Sequence, residues 1–128
     1  MMKERVNTQN APAAIGPYSQ AVRVDNMLFG SGQLPIDPAT GKIVEGGVAE
    51  QFAQVVKNAK AILAEVGCTL DDVVKTTVFL QDIANFGAMN EIYSANFSGE
   101  VKPARSAFQV AALPMGALVE MEFIANIK

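Results

Sequence analysis

The feature that most constrains the fold is an amphipathic segment between residues 48 and 66. Its apolar side chains recur every three or four positions, which places them on one face of a helix. They are Val48, Phe52, Val55, Val56, Ala59, Ile62, Leu63 and Val66. Gly67 follows, and a glycine just past the last apolar position is a common helix end. Because most helices are stabilised by burying their apolar face, the other segments have to supply a surface for this one.

Strand patterns occupy residues 18–24, 27–34, 73–80, 104–112 and 117–127. The first two are separated by Asp25-Asn26, a pair that favours a tight turn. The third is rich in β-branched side chains, which favour strands. Residues 1–16 are predicted to be irregular or an edge segment, and residues 35–44, with two prolines and a glycine, are predicted to be a loop.

A second helix is predicted from about residue 83 or 86 to residue 97, with apolar side chains at helical spacing. The resulting order is β-β-α-β-α-β-β. Helices separated by strands, with hairpins at both ends, favour an α+β fold in which an antiparallel or mixed sheet carries two helices on one face. We interpret residues 1–128 as one such domain, since neither a repeat nor a linker divides the chain.

The other face of this sheet would have no cover within one chain. Half of the residues are hydrophobic and only 18% are charged, which is an apolar composition for a small domain. Large apolar patches usually end in contacts between subunits. We therefore predict that further copies of the chain cover this face.

Composition also narrows the class of function. The net charge is −3 and no basic run exceeds two residues, so we expect no nucleic-acid partner, because such binding needs clustered positive charge. The single cysteine, Cys68, rules out an intramolecular disulfide and is compatible with a reducing compartment. No apolar stretch approaches the roughly 18 residues that span a membrane. We therefore expect a soluble, cytoplasmic protein without a membrane partner.

One arginine interrupts a mostly apolar strand. In PARSAF (103–108), Arg105 keeps its charge wherever it lies. In the last strand, alternation turns Glu120 and Glu122 away from the side chains that should meet the helices. If the two strands are neighbours, Arg105 lies near these acids. Two interpretations follow: an internal ion pair, which spacing alone favours, or a guanidinium that binds a substrate carboxylate while a glutamate handles a proton.

Four segments carry a resemblance to a known family. PARSAFQVAALPMGALVEMEFIA (103–125) resembles the signature segment of the RidA family, also called the YjgF family. APAAIGPYSQA (11–21), GSGQLPIDPATG (30–41) and VKTTVFLQDIANFGAMNEIY (74–93) are similar to the family in the same order. Several independent segments at family spacing are a much more specific signal than one short motif.

The resemblance implies a chorismate-mutase-like α+β fold, assembled as a homotrimer with three clefts between subunits. It also implies hydrolysis of 2-imino acids and their enamine tautomers, such as 2-iminobutanoate and 2-iminopropanoate, to 2-oxo acids and ammonia. This activity needs no cofactor and no metal. A protonated imine is already a strong electrophile, so orienting it and presenting one water can suffice.

The same resemblance implies roles for individual residues. Arg105 matches the arginine that clamps the substrate carboxylate, and Glu120 matches the acid that positions or activates water. The matching substrate-binding residues are Tyr18, Ser31, Gly32, Asn90 and Ala107. At position 107 the best-known imine deaminases have cysteine, so a side-chain role there is lost. Without the resemblance, Tyr18 would be interpreted as a packed strand aromatic and Asn90 as a solvated helix residue.

Two other functions compete with imine hydrolysis. Some members of the family have been described as ribonucleases or translation inhibitors, but this chain lacks histidine and a basic platform for stacking bases. A non-catalytic protein that holds small carboxylates in the same clefts and regulates a partner is the stronger competitor. It predicts ligand binding without release of ammonia.

Overall fold

The computed structural model describes residues 2–128, which form a six-stranded sheet, a small hairpin and two long helices. The strands, numbered along the chain, are β1 (Lys3–Val6), β2 (Ala21–Val24), β3 (Met27–Gln33), β4 (Ile36–Asp37), β5 (Lys42–Ile43), β6 (Val73–Leu80), β7 (Ala104–Gln109) and β8 (Val119–Asn126). The main sheet has the order β1-β2-β3-β8-β6-β7, while β4 and β5 pair separately. Only β6 and β7 run parallel, so the predicted mixed sheet is confirmed.

Helix α1 (Val48–Glu65) and helix α2 (Phe86–Asn96) pack against one face of this sheet. The predicted apolar stripe of α1 is buried throughout the helix. The chain then turns at Gly67, whose φ of 74° lies in the left-handed region that glycine adopts without steric cost. No helix within residues 2–128 has the length and apolar character that crossing a bilayer requires.

Strand β8 shows how the sequence alternation builds the core. Every second residue from Val119 to Ala125 is buried, and this row faces the helices as predicted. Glu120 and Glu122 lie on the opposite face. That face also carries Phe29 and Phe108, which are 44% and 45% exposed in the single chain, so an apolar surface remains without a cover.

Several element boundaries differ from the predicted ones. Residues 18–20 precede β2 instead of belonging to it, and β7 ends at Gln109 instead of residue 112. Beyond Gln109 the chain leaves the sheet toward the turn Pro114–Gly116, where Met115 has a φ of 59°. The predicted loop 35–44 contains the β4–β5 hairpin. Strand β1 is an edge strand of the main sheet, which is one of the two possibilities predicted for residues 1–16.

The strands that carry Arg105 and Glu120 are not neighbours, contrary to the arrangement that would place Arg105 near the acids. Strand β6 lies between β7 and β8 and pairs with both. Parallel neighbours cannot be joined by a tight turn, and α2 supplies the crossover that β6 and β7 need. Their order along the chain suggested that the strands of Arg105 and Glu120 could be neighbours, and this is wrong.

Gly30 on β3 gives a stability prediction. A Cβ at this position would lie 2.4 Å from the Phe123 ring, and the ring belongs to a close-packed core that yields little. We expect Gly30→Ala to lower the free energy of unfolding by about 1–3 kcal/mol. Urea denaturation of the wild type and the variant measures the difference.

Gly87→Ala is the matched control, since a Cβ at Gly87 on α2 meets nothing within 4 Å. Alanine is also the better helix former, so this variant is expected to be neutral or slightly stabilised. Equal stability of the two alanine variants would contradict the proposed packing of Phe123 against Gly30.

Candidate active site

Helix α2 holds the Arg105 side chain on the helix-facing side of the sheet. The guanidinium carbon lies 4.6 Å from the ring centroid of Tyr93 and 5.3 Å from that of Phe86. Its Nη1 donates a hydrogen bond of 2.7 Å to Oδ1 of Asn90. These three residues of α2 are spaced to share one helix face. Arg105 and the three α2 side chains are called the Arg105 cluster below.

The Tyr93 ring is held in place by a contact with the sheet. Its hydroxyl forms a buried hydrogen bond of 2.7 Å with Oγ1 of Thr76, the β6 residue opposite Arg105. Burial raises the pKa of the Tyr93 hydroxyl, so it stays protonated. The aromatic faces attract the guanidinium through their quadrupoles. Sequence reasoning treated Phe86 and Tyr93 only as helix core, although their spacing around Asn90 was the available signal.

Among residues 2–128, no carboxylate lies within ion-pair distance of the Arg105 guanidinium. Across residues 2–128, the ion pair present joins Lys128 Nζ to Asp72 Oδ1 at 3.1 Å, so the internal ion-pair interpretation is wrong for the single chain. Apart from the bond to Asn90, the guanidinium N–H groups of Arg105 have no acceptor among the described residues and can donate to a ligand. A cavity of about 300 Å³ lies beside it, lined by Asn90, Tyr93, Ser94, Phe97, Lys102, Pro103 and Arg105.

Glu120 on β8 belongs to a second group of residues on the open face. Its carboxylate is half-buried, and burial first, then the negative charge of Glu122, raises its pKa above the usual value. A Cβ on Gly32 would lie 2.8 Å from Oε2 of Glu120, so the glycine makes room for this carboxylate. A glycine within a strand often marks such a point of close approach.

A β-bulge in β3 includes Ser31 and Gly32, and Gly32 lies beside Glu120. Between Gly30 and Gln33 the register of β3 against β8 shifts, so three steps on β3 match two on β8. Bulges of this kind redirect side chains and are frequent beside functional sites. The Ser31 hydroxyl donates 2.6 Å to the Ser19 carbonyl, so it already has an acceptor within the chain.

Tyr18 lies next to this bulge and is 55% exposed, so the alternative of a packed strand aromatic is wrong. Together with Gly32 it lines a small pocket of about 50 Å³. Tyr18, Ser31, Gly32 and Glu120 are called the Glu120 cluster below. This cluster combines a phenol, a carboxylate and the half-buried residues Ser31 and Gly32.

The two clusters lie on opposite faces of the sheet. Arg105 is opposite Thr76 and faces α2, and Ala107, two residues later, is half-buried on the same side. Glu120 is opposite Phe79, which is opposite Phe108, in a row on the open face. With β6 in between, the strands of Arg105 and Glu120 are about 10 Å apart in the plane of the sheet alone. A small substrate held by Arg105 therefore does not reach Glu120 of the same chain.

Metal and thiol chemistry find little support in the described residues. Among residues 2–128, no three His, Cys, Asp or Glu side chains are grouped so as to hold a metal ion. Cys68 is buried, and burial raises the pKa of its thiol, which disfavours the nucleophilic thiolate. The ionisable groups of the two clusters are a guanidinium, a carboxylate of raised pKa and two phenols.

Comparison with known proteins identifies relatives of this chain. A family model described as endoribonuclease L-PSP matches residues 8–127. A RutC family protein of Pyrococcus abyssi is 55% identical over 98% of this chain and 98% of its own length. The mouse 2-iminobutanoate/2-iminopropanoate deaminase is 52% identical over 98% of this chain and 92% of that protein.

A solved structure gives the same result for the fold. A Yersinia pestis protein of the Rid family, described as of unknown function, superposes with a TM-score of 0.96 at 49% identity, covering 98% of this chain and 100% of that one. The sequence and structural similarities each extend over nearly the whole chain. This chain therefore belongs to the endoribonuclease L-PSP family, which is the RidA or YjgF family that its motifs indicated.

Proposed function

We propose that the protein hydrolyses 2-imino acids, such as 2-iminobutanoate and 2-iminopropanoate, to 2-oxo acids and ammonia without a cofactor. The observation that carries the proposal is the Arg105 guanidinium, which α2 holds and which has no carboxylate partner within residues 2–128. A guanidinium with parallel N–H groups matches a planar carboxylate better than any other side chain. Relatives at about half identity carry the name of this activity.

We further propose that each catalytic cleft lies between two copies of the chain in a homotrimer. One copy supplies Arg105, Asn90 and Ala107, and its neighbour supplies the Glu120 cluster. The opposite placement of the two clusters supports this, because no single chain presents both to one small molecule. The uncovered apolar residues of the open sheet face give the copies a reason to associate.

In the proposed reaction Arg105 holds the substrate carboxylate and so fixes the imine carbon. Glu120 accepts a proton from a water molecule whose oxygen attacks that carbon, and the C=N bond becomes a C–N single bond. Glu120 then gives this proton to the nitrogen. The C–N bond breaks and ammonia leaves as the new hydroxyl group passes its own proton to Glu120 and forms the C=O bond of the 2-oxo acid. A carboxylate whose pKa is raised is a stronger base than an exposed one, which suits this role.

Tyr18 and the Ser31-Gly32 backbone would complete the wall of the cleft on the Glu120 side. On the Arg105 side, Asn90 acts on the guanidinium, since its amide oxygen accepts the Nη1 hydrogen bond. Ala107 contributes a small side chain with no acid–base group. Arg105 and Glu120 therefore have to provide most of the rate enhancement.

A coupled assay tests the proposal. A dehydratase generates 2-iminobutanoate in buffer free of Tris, and the decay of the imine and the release of ammonia are followed with and without this protein. We expect faster decay with the protein present. Binding of small carboxylates without faster ammonia release would favour the non-catalytic alternative, and cleavage of RNA by the same preparation would favour the ribonuclease.

A further inference from the structure

One buried side chain fixes the segment that leads to Tyr18, between β1 and β2. Gln20 is 2% exposed. Its Oε1 accepts a hydrogen bond of 2.7 Å from the Thr8 N–H, and its Nε2 donates to the carbonyl oxygens of Thr8 at 3.0 Å, Ala11 at 3.3 Å and Pro12 at 2.7 Å. The two Nε2 hydrogens are shared among these three carbonyls, so one amide contacts four backbone groups of residues 8–12.

Ser31 fixes the other end of the same segment. Its hydroxyl donates to the Ser19 carbonyl at 2.6 Å, and its N–H donates to the Gln20 carbonyl at 2.9 Å. Residues 13–18 are therefore held at both ends, while residues 15–18 themselves are exposed. Gly16, with a φ of 126°, accepts a hydrogen bond from the Tyr18 N–H, so the direction of Tyr18 depends on how the two ends are held.

We propose that Gln20 is a positioning residue that aims Tyr18 at the cleft beside Gly32 and Glu120, without touching the substrate. Replacing its amide by an apolar group leaves four backbone groups without their partner, and such groups turn toward water instead. Residues 8–12 would then shift, and Tyr18 would lose its fixed direction. The catalytic consequence rests on the proposed function, whereas the effect on Tyr18 does not.

Fluorine NMR of protein labelled with 3-fluorotyrosine tests the effect on Tyr18 directly. The chain has two tyrosines, exposed Tyr18 and buried Tyr93, so two resonances are expected and Tyr18→Phe assigns them. In Gln20→Met, which keeps a side chain of similar size, we expect the Tyr18 resonance to shift and narrow toward that of a free tyrosine while the Tyr93 resonance stays. An unchanged Tyr18 resonance, or equal changes in both, would overturn the proposal.

Gln51→Met is the matched control for this spectrum. Gln51 is also buried and also accepts a backbone hydrogen bond, from the Leu118 N–H at 2.8 Å, but it lies on α1. This variant should leave the Tyr18 resonance in place. If Gln20→Met does not fold, Gln20→Glu replaces it, because a protonated glutamate keeps the acceptor oxygen and one of the two donor hydrogens. The Tyr18 resonance should then lie near its native position at low pH and move away from it as the acid ionises. A resonance that does not change with pH would count against the proposal.

An activity measurement separates positioning from general damage. We expect Gln20→Met to lower kcat/KM by about tenfold in the otherwise wild-type protein, but to have little further effect when Tyr18 is already alanine, because the two residues act through the same contact. The same loss in both backgrounds would overturn the proposal. If the protein has no imine hydrolase activity at all, the NMR result still decides whether Gln20 orients Tyr18.

Discussion

Arg105→Ala is expected to lower kcat/KM for 2-iminobutanoate by about a hundredfold or more. The substitution removes two charge-assisted hydrogen bonds to the substrate carboxylate, each contributing about 1.5–3 kcal/mol, and each 1.4 kcal/mol is about a factor of ten in rate. Arg105→Lys should restore little, because an ammonium group cannot offer two parallel N–H groups or lie flat on the rings of Phe86 and Tyr93. Steady-state kinetics in the coupled assay measures both.

Arg5→Lys provides the control for this series. Arg5 lies exposed on the edge strand β1, so the same chemical change there should leave kcat/KM unaltered. The role of Arg105 as carboxylate clamp would have to be abandoned if its alanine variant hydrolysed the imine as fast as the wild type.

Glu120→Gln is expected to lower kcat by about a hundredfold or more while leaving KM nearly the same, since the amide keeps the shape of the side chain but cannot accept a proton from water. The pH dependence follows from the raised pKa of Glu120. Only the ionised carboxylate acts as a base, so kcat should fall as pH falls through this raised pKa. Initial rates measured across the acid range locate that fall.

Glu122→Gln separates the two causes of the raised pKa. The negative charge of Glu122 is the second cause after burial, and its removal lowers the pKa of Glu120. The acid side of the kcat profile should therefore move to lower pH, with the plateau at high pH unchanged. A profile that stays in place, or a Glu120→Gln variant of full activity, would contradict the assignment of Glu120 as the base.

The sequence predicted those parts of the fold that depend on local periodicity. The stripe of α1 and the alternation in β8 determine which side chains are buried, and both hold in the structure. Alternation also placed Glu120 on the face away from the helices. Alternation cannot indicate which strands are neighbours, because strand pairing depends on crossovers such as the one through α2. For this reason the face of Arg105 was not predicted.

The candidate site shows a second limit of sequence reasoning. Phe86 and Tyr93 have the spacing of core residues, and nothing in that pattern says that their rings lie against a guanidinium. Arg105 and Glu120 are fifteen residues apart in sequence and lie on opposite faces of the sheet. The proposal that these residues form one site between two copies rests on the family resemblance, because no periodicity within one chain joins them.

Pairing of two inactive variants is the most direct test of a cleft shared between chains. Arg105→Ala and Glu120→Gln chains with different affinity tags are co-expressed, and mixed oligomers are isolated by purification on both tags in turn. In a cyclic trimer of both chain types, one cleft joins an intact Arg105 to an intact Glu120, so about one third of the wild-type activity should return. Mixed trimers, verified by native mass spectrometry, that stay as inactive as the single variants would contradict the shared cleft.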